Sequence, residues 1–288
     1  MSTTAAEGPN AEQIQYWNET AGPKWVALQS LIDDQIRPLG ELAMDRAGLK
    51  AGERVLDVGC GCGDTTLAIA RRVGTEGSVT GVDISGPMLE RARQVACDAG
   101  IVHARFEQTD AQTHAFAAGS FDAVFSRFGV MFFADPERAF ANLRRGLASG
   151  GRLSFVCWQA LAENPWTFVP MMAALPLLPP IPLPSPDAPG PFAFADSTRV
   201  QGILERAGFS SVGFEDVHRT LRIGGGGDLD QTVDFLLQMG PTARVLRDVE
   251  PALKEKVAAA IREALQPYAG ADGVRMDSAA WIVTARNP

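Results

Sequence analysis

Between residues 54 and 158 the chain alternates short apolar runs with stretches of helical pattern, and this rhythm leaves few folds open. Arg54 to Val58, Ser78 to Asp83, Val102 to Glu107, Phe121 to Ser126 and Arg152 to Trp158 read as five strands. Asp64 to Val73 reads as a helix. A second opens at Ser85, Gly86 and Pro87 and closes near Asp98, and a third runs from Asp135-Pro136 to about Leu147. Proline suits a first helical turn, where its missing N–H costs nothing, and Asp135 is a fitting cap. Apolar strands separated by helices predict an α/β fold with a doubly wound, mostly parallel sheet covered on both faces. Ser211 to Val217 and Ala279 to Ala285 add two strands, making the expected sheet seven-stranded.

Helical and proline-rich cap insertions interrupt this sheet. Residues 1–48 form an N-terminal helical arm, with capping-box spacing at Asn10 and Gln13 and a second helix ending near Gly48. Tyr16, Trp17 and Trp25 in this arm either glue helices to the core or close over a ligand as a lid. Residues 49–288 form the core domain, with cap insertions at 159–195 and 224–278. The first insertion holds ten of the 19 prolines, no Lys or Arg, and two acids, Glu163 and Asp187. Such proline density excludes a long helix or a central strand. Trp166, Phe168, Met171, Ile181, Phe192 and Phe194 need a partner surface, so an ordered apolar cap is expected, with a membrane-facing or subunit-facing patch as the rival. Asp196 caps a helix ending at Gly208. Gly224 to Gly227 reads as a flexible joint, Asp228 and Gln231 as a capping box opening a helix to about Met239, and Val249 to Leu265 as a further helix.

Charge narrows the partners. Lys and Arg number 26 against 34 Asp and Glu, a net charge of -8. That argues against a groove that neutralises nucleic-acid phosphates. No apolar run is long enough to span a membrane, and the first residues lack a signal-peptide pattern, so a cytoplasmic protein is expected. Cys60, Cys62, Cys97 and Cys157 fit neither a disulfide scaffold nor a zinc site, and with three histidines no metal centre is expected.

The chemistry concentrates at VLDVGCGCG, residues 55–63. Gly59, Gly61 and Gly63 follow a strand and precede a helix, where glycine lets a ligand approach the backbone and the helix N-terminus. The spacing is not G-x-G-x-x-G, and no G-K-[ST] follows, so a pyrophosphate is not the obvious ligand. Asp57 precedes the loop. Asp83, ending the second strand 20 residues past Gly63, is placed to accept from ribose hydroxyls. Asp110, after the third strand, can accept from an exocyclic amine while the Ala111 backbone meets a ring nitrogen. Ile84 and Met88 offer apolar contact to a purine face.

With these residues in hand, the chain resembles the class I S-adenosylmethionine-dependent methyltransferases. VLDVGCGCG is similar to their first motif, VTGVDIS to their second, and EQTDAQ carries the adenine-side acid. SFDAVFSRFGVMFF and LRRGLASGGRLSFV resemble later motifs of the ubiquinone/menaquinone-type small-molecule branch. The resemblance is firm over 54–158; it departs in having Ser149 where a proline usually precedes the GG turn. It implies S-adenosyl-L-methionine as cofactor. Asp57 and the Gly59, Cys60, Gly61 and Gly63 backbone would hold its amino-acid part, Asp83 its ribose, and Asp110 and Ala111 its adenine. Ser126, Arg127 and Phe128 would border its methionine end, and Tyr16 and Trp25 would close over it.

A sulfonium methyl is already activated, so alignment and water exclusion are the main demands. The expected acceptor is a mid-sized, largely apolar or aromatic small molecule, because the first insertion carries no cation. Were a base required, His114, His218, Glu215 and Tyr16 are the candidates. Cys60 and Cys62 read as small fillers of the loop. A methyltransferase acting on protein or nucleic acid, and a non-catalytic S-adenosylmethionine-binding protein, are the alternatives. The family suggests a homodimer.

Overall fold

A computed structural model describes residues 8–180, 185, 187–247 and 249–288. Ile181 of the expected cap lies outside them. The strands are β1 (Arg54–Val58), β2 (Ser78–Asp83), β3 (Ala104–Gln108), β4 (Phe121–Arg127), β5 (Leu147–Trp158), β6 (Ser210–Arg222), β7 (Ala269–Gly270) and β8 (Gly273–Arg286). The arm contributes α1 (Ala11–Tyr16), α2 (Gly22–Ala27) and α3 (Gln29–Ala47). The core helices are α4 (Asp64–Val73), α5 (Gly86–Asp98) and α6 (Pro136–Gly146). Then follow α7 (Pro165–Ala174), α8 (Ser197–Arg206), α9 (Leu229–Gln238), α10 (Gly240–Val245) and α11 (Pro251–Leu265).

The sheet order is β3-β2-β1-β4-β5-β8-β6, seven strands, with the two-residue β7 paired to β8 as an eighth. β1 to β5 run parallel, and β8 is antiparallel to both β5 and β6. Both faces are covered, and β5 shows how. Ser154 donates to the Ala43 carbonyl and Arg152 to that of Ala47, so even positions face α3. Phe155 stacks with Phe140 of α6, so odd positions face the other layer. That is the period-two alternation of a strand buried on both sides. The resulting class is a Rossmann-like, mostly parallel sheet with helical insertions.

Several local expectations change. Asn10 makes no capping box; its side chain reaches elsewhere, as described below. Asp196, Asp135 and the Asp228/Gln231 box do cap their helices. β8 is twice as long as expected, because Arg275 and Asp277 alternate with buried Val274, Met276 and Ser278 and hide the strand. The segment read as a flexible joint is a packed turn. The Gly224 N–H donates to Gln35 Oε1, and a Cβ on Gly225 would sit 2.7 Å from Leu31 Cδ2. In the proline-rich insertion α7 is ten residues long, packs on α10, α11 and β8, and buries Trp166, while Met172 and Leu177 stay exposed. No helix among the described residues is long and apolar enough to cross a membrane.

Candidate functional site

The C-terminal ends of β1 to β4 open into a cleft. Open α/β sheets bind ligands at this end. The glycine loop forms its floor. Gly59, Gly61 and Gly63 have φ of 68°, 55° and 89°, left-handed values that favour glycine. A Cβ on Gly59 would lie 2.8 Å from Gly129 Cα, so the loops after β1 and β4 meet backbone to backbone.

Three carboxylates stand around this floor. Asp83 Oδ2 accepts from the Gly61 N–H at 2.9 Å and Oδ1 from the Ser85 N–H at 2.8 Å. Burial holds its pKa above the ordinary carboxylate value. Asp110 Oδ1 accepts from Asn10 Nδ2 and from the Gln112 N–H, both at 2.9 Å. Asp57 lies just behind the cleft wall, fully buried. Its Oδ2 accepts from Thr65 Oγ1 and Thr66 Oγ1 at 2.7 and 2.6 Å, and its Oδ1 has no partner among the described residues.

Burial, outweighing the two threonine hydrogen bonds, raises the Asp57 pKa to about 6. The sign follows from linkage. A carboxyl raised from 3.8 to about 6 on folding costs stability once it ionises, so stability falls as pH rises through that window. The cost from this group above about pH 6 is roughly 3 kcal/mol. Asp57→Asn is therefore expected to gain stability relative to wild type as pH rises from about 4 to 7, measured by urea unfolding. A difference that does not vary with pH would contradict this.

The arm reaches over the cleft. Asn10 Oδ1 accepts from the Ala134 N–H while its amide holds Asp110. Trp17–Ala21 is a π-helical turn, and Asn18 bridges the Ile84 carbonyl and the Gly86 N–H. A π-turn shifts side-chain register, and such turns gather at functional sites. Trp17 consequently lines the cleft with Trp25. Tyr16 packs edge-on against Trp17 outside it, with the Arg247 guanidinium 5.4 Å from its ring.

Opposite the loop, Arg127 lies in a buried ion network. Its Nη2 donates to Asp33 Oδ1 at 2.6 Å and its Nη1 to Asp64 Oδ2 at 2.8 Å, while Arg37 holds Asp64 Oδ1 at 2.6 Å. Burial raises the Asp33 pKa against the pull of Arg127. Beyond it the wall turns aromatic: Phe128 stacks on Trp158 at 4.1 Å, and Trp166 lies 5.1 Å further on. Phe128 has φ 59°, a strained value for a bulky residue, of the kind found at functional sites. Phe132, Phe133 and Phe235 complete the lining.

Of the residues singled out from the sequence, Gly59, Cys60, Gly61, Asp83, Ile84, Met88, Asp110, Ala111, Arg127, Phe128 and Trp25 border this one cleft. Asp57, Gly63 and Ser126 sit behind its wall; Ser126 Oγ staples β4 to the Val58 carbonyl. The base candidates lie elsewhere. His114 Nδ1 is 3.0 Å from Thr109 Oγ1 with its ring against Phe116. His218 is exposed beside Asp216 on β6, and Glu215 pairs with Arg46 at the surface. Cys60 and Cys62 are buried free thiols, and burial pushes Cys62 up to about 12. Sequence reasoning missed Asn10 as a hydrogen-bond donor to Asp110, and Asp33; of the arm's aromatic residues it placed Tyr16 and Trp25 over the cofactor, where Trp17 and Trp25 line the cleft. Asp33 had a signal: it shares the apolar stripe of α3 with Ile36 and Gly40.

Residues 55–151 match the family model described as a methyltransferase domain. Aklanonic acid methyltransferase DauC of Streptomyces sp. strain C5 is 39% identical over 118 residues, 41% of this chain and 54% of that protein. Ubiquinone/menaquinone biosynthesis C-methyltransferase UbiE of Teredinibacter turnerae is 32% identical over 152 residues, 52% and 61% of the two chains. The chain thus spans little more than half the length of these relatives. The crystal structure of the YcgJ protein from Bacillus subtilis aligns over 86% of this chain and 97% of its own with a TM-score of 0.55, at 19% identity. Residues 55–151 are thus similar to the methyltransferase-domain family, and they lie on a Rossmann-like, mostly parallel sheet. The ubiquinone/menaquinone branch is not singled out within that family, since DauC matches as well as UbiE.

Proposed function

We propose that the protein transfers a methyl group from S-adenosylmethionine to a mid-sized, largely apolar or aromatic small molecule. The reading rests on one observation: a single cleft with a polar end, built from a glycine cradle and carboxylates, and an end walled by aromatic rings. The polar end suits the cofactor. Gly59 leaves no room for a Cβ beside Gly129 Cα, and Asp57 Oδ1 behind the loop, without a hydrogen-bond partner among the described residues, suits a nearby cationic group. In this reading the Gly59, Cys60 and Gly61 backbone holds the amino-acid part, Asp57 and Gly63 support that loop from behind the wall, and Asp83 holds the ribose. Asp110 and Ala111 hold the adenine between Ile84 and Met88. Arg127 and Phe128, backed by Ser126, border the methionine end. Trp25 closes over it, and Tyr16 acts by bracing Trp17.

S-adenosylmethionine supplies a methyl already activated by its sulfonium. The chain aligns the acceptor against it and keeps water out. Among the described residues no His, Tyr, Lys or Glu borders the cleft, which favours catalysis by positioning over a dedicated base. Arg127, the one cation bordering the cleft among the described residues, is already held by two carboxylates, so a polyanionic acceptor finds no free partner. Both curated relatives are named for small-molecule chemistry, consistent with such an acceptor.

The test is calorimetric titration of acceptors into protein saturated with S-adenosylhomocysteine. Apolar aromatic compounds are expected to bind and phosphorylated ones are not; binding of polar compounds alone would refute the acceptor class. Trp158→Ala is expected to raise the acceptor KM about tenfold through the lost ring contact, with S-adenosylmethionine affinity unchanged.

A further inference from the structure

At the other end of the sheet a smaller pocket is lined by Arg46 at the end of α3, Arg152 of β5, Ser211 of β6, and Thr284 and Arg286 of β8. Arg152 and Arg286 are direct cross-strand partners, on the face that α3 covers. Like charges placed so destabilise a sheet. Glu53 compensates Arg152, and Glu215 compensates Arg46. Arg286 has no carboxylate partner among the described residues; its Nη1 approaches the Gly150 carbonyl at 3.4 Å.

The backbone is unusual here too. The β6–β8 register shifts between Ser210 and Gly213, and inside this bulge Ser211 has φ 52°. A non-glycine residue in that region is strained, and strain persists where something over-determines it. The Ser211 and Thr284 hydroxyls line the pocket and have no protein hydrogen-bond partner among the described residues. Three guanidinium groups against two carboxylates leave a local charge of plus one in a chain of net charge -8. Guanidinium forks with free hydroxyl donors match the geometry of a tetrahedral oxyanion.

We propose that this pocket binds a phosphate-class oxyanion, free or as a phosphate monoester, with Arg286 as its principal cation and Ser211 and Thr284 as hydroxyl donors. The site is separate from the cleft and does not depend on the methyl-transfer reading. Arg286 is exposed and, unlike Arg46 and Arg152, has no carboxylate partner among the described residues, which leaves its charge open to an anion.

The experiment titrates inorganic phosphate and glycerol 3-phosphate into wild type, Arg286→Gln and Ser211→Gly at constant ionic strength, with melting temperatures recorded in parallel. Wild type is expected to bind phosphate saturably and to melt higher in its presence. Arg286→Gln should bind about tenfold to a hundredfold more weakly, the fold-change of a charge-assisted hydrogen bond. Without phosphate it should melt at or above wild type, because the like-charge opposition is gone. Ser211→Gly should also melt higher and bind more weakly, since it relieves the backbone and deletes a donor. Binding of phosphate alone identifies a free-ion site, and binding of both probes a phosphate-group site; either supports the proposal. No saturable binding to wild type, or undiminished binding by both variants, overturns it.

Discussion

Asp83→Ala is expected to weaken S-adenosylmethionine binding by a hundredfold or more in a protein that still folds. Asp83 ends β2 with both carboxylate oxygens anchored by backbone N–H groups of Gly61 and Ser85. That fixes the carboxylate at the junction of two loops while it borders the cleft. In the proposed site it accepts from two ribose hydroxyls. Charge-assisted hydrogen bonds of this kind contribute about 1.5–3 kcal/mol each, so their joint loss is about 3–6 kcal/mol. The lower bound is already about a hundredfold in affinity. Stability should change little. Burial raises the Asp83 pKa, so its ionised form costs stability at neutral pH, and removing it offsets the two lost amide contacts. Calorimetry and thermal melting of the same samples separate the two effects. Unchanged affinity in the variant would remove Asp83 from the ribose site.

Arg127→Met is expected to destabilise the fold by about 3–5 kcal/mol at neutral pH, the cost of breaking a buried ion pair from one side. The side chains of Arg127 and Asp33 are 9% and 6% exposed, so water cannot replace the lost partner. The pH dependence carries a sign. Asp33 already has a raised pKa, and losing Arg127 removes an influence that lowers it. Its ionised form then costs more above that pKa, and the penalty shrinks as pH falls through it. The variant should therefore lose most at about pH 8 and least at about pH 5 in urea unfolding. Asp33→Asn added to Arg127→Met should recover part of the loss. A pH-independent loss with no recovery would show that Arg127 acts through packing alone over Gly40, where a Cβ would meet its Cδ at 2.7 Å.

The central parallel strands β1, β4 and β5 were legible because they carry apolar residues on both faces, and Leu56, Phe125 and Phe155 are indeed fully buried. The antiparallel edge was legible only in part: both its strands were read, but each too short. Its outer half faces solvent on one side, so Arg275 and Asp277 mask β8 from any reading of continuous apolar runs. The loop and the strand-end carboxylates could be found because position along a strand fixes where its C-terminal residue points. Roles set by long-range docking could not. Asn10 has the spacing of a cap, yet its amide lies against Asp110, a hundred residues away in sequence. Tyr16 and Trp17 are adjacent, and only the π-turn that starts at Trp17 decides which ring enters the cleft. His218 belongs to a strand that continues to Arg222, which carries it out to solvent rather than toward the cap.

The most direct measurement is an equilibrium titration of S-adenosylmethionine and S-adenosylhomocysteine into the wild-type chain, with folding verified by a cooperative melt. Saturable one-to-one binding of both, competitive with each other, is the predicted result. A folded protein that binds neither would contradict the methyltransferase reading of the cleft.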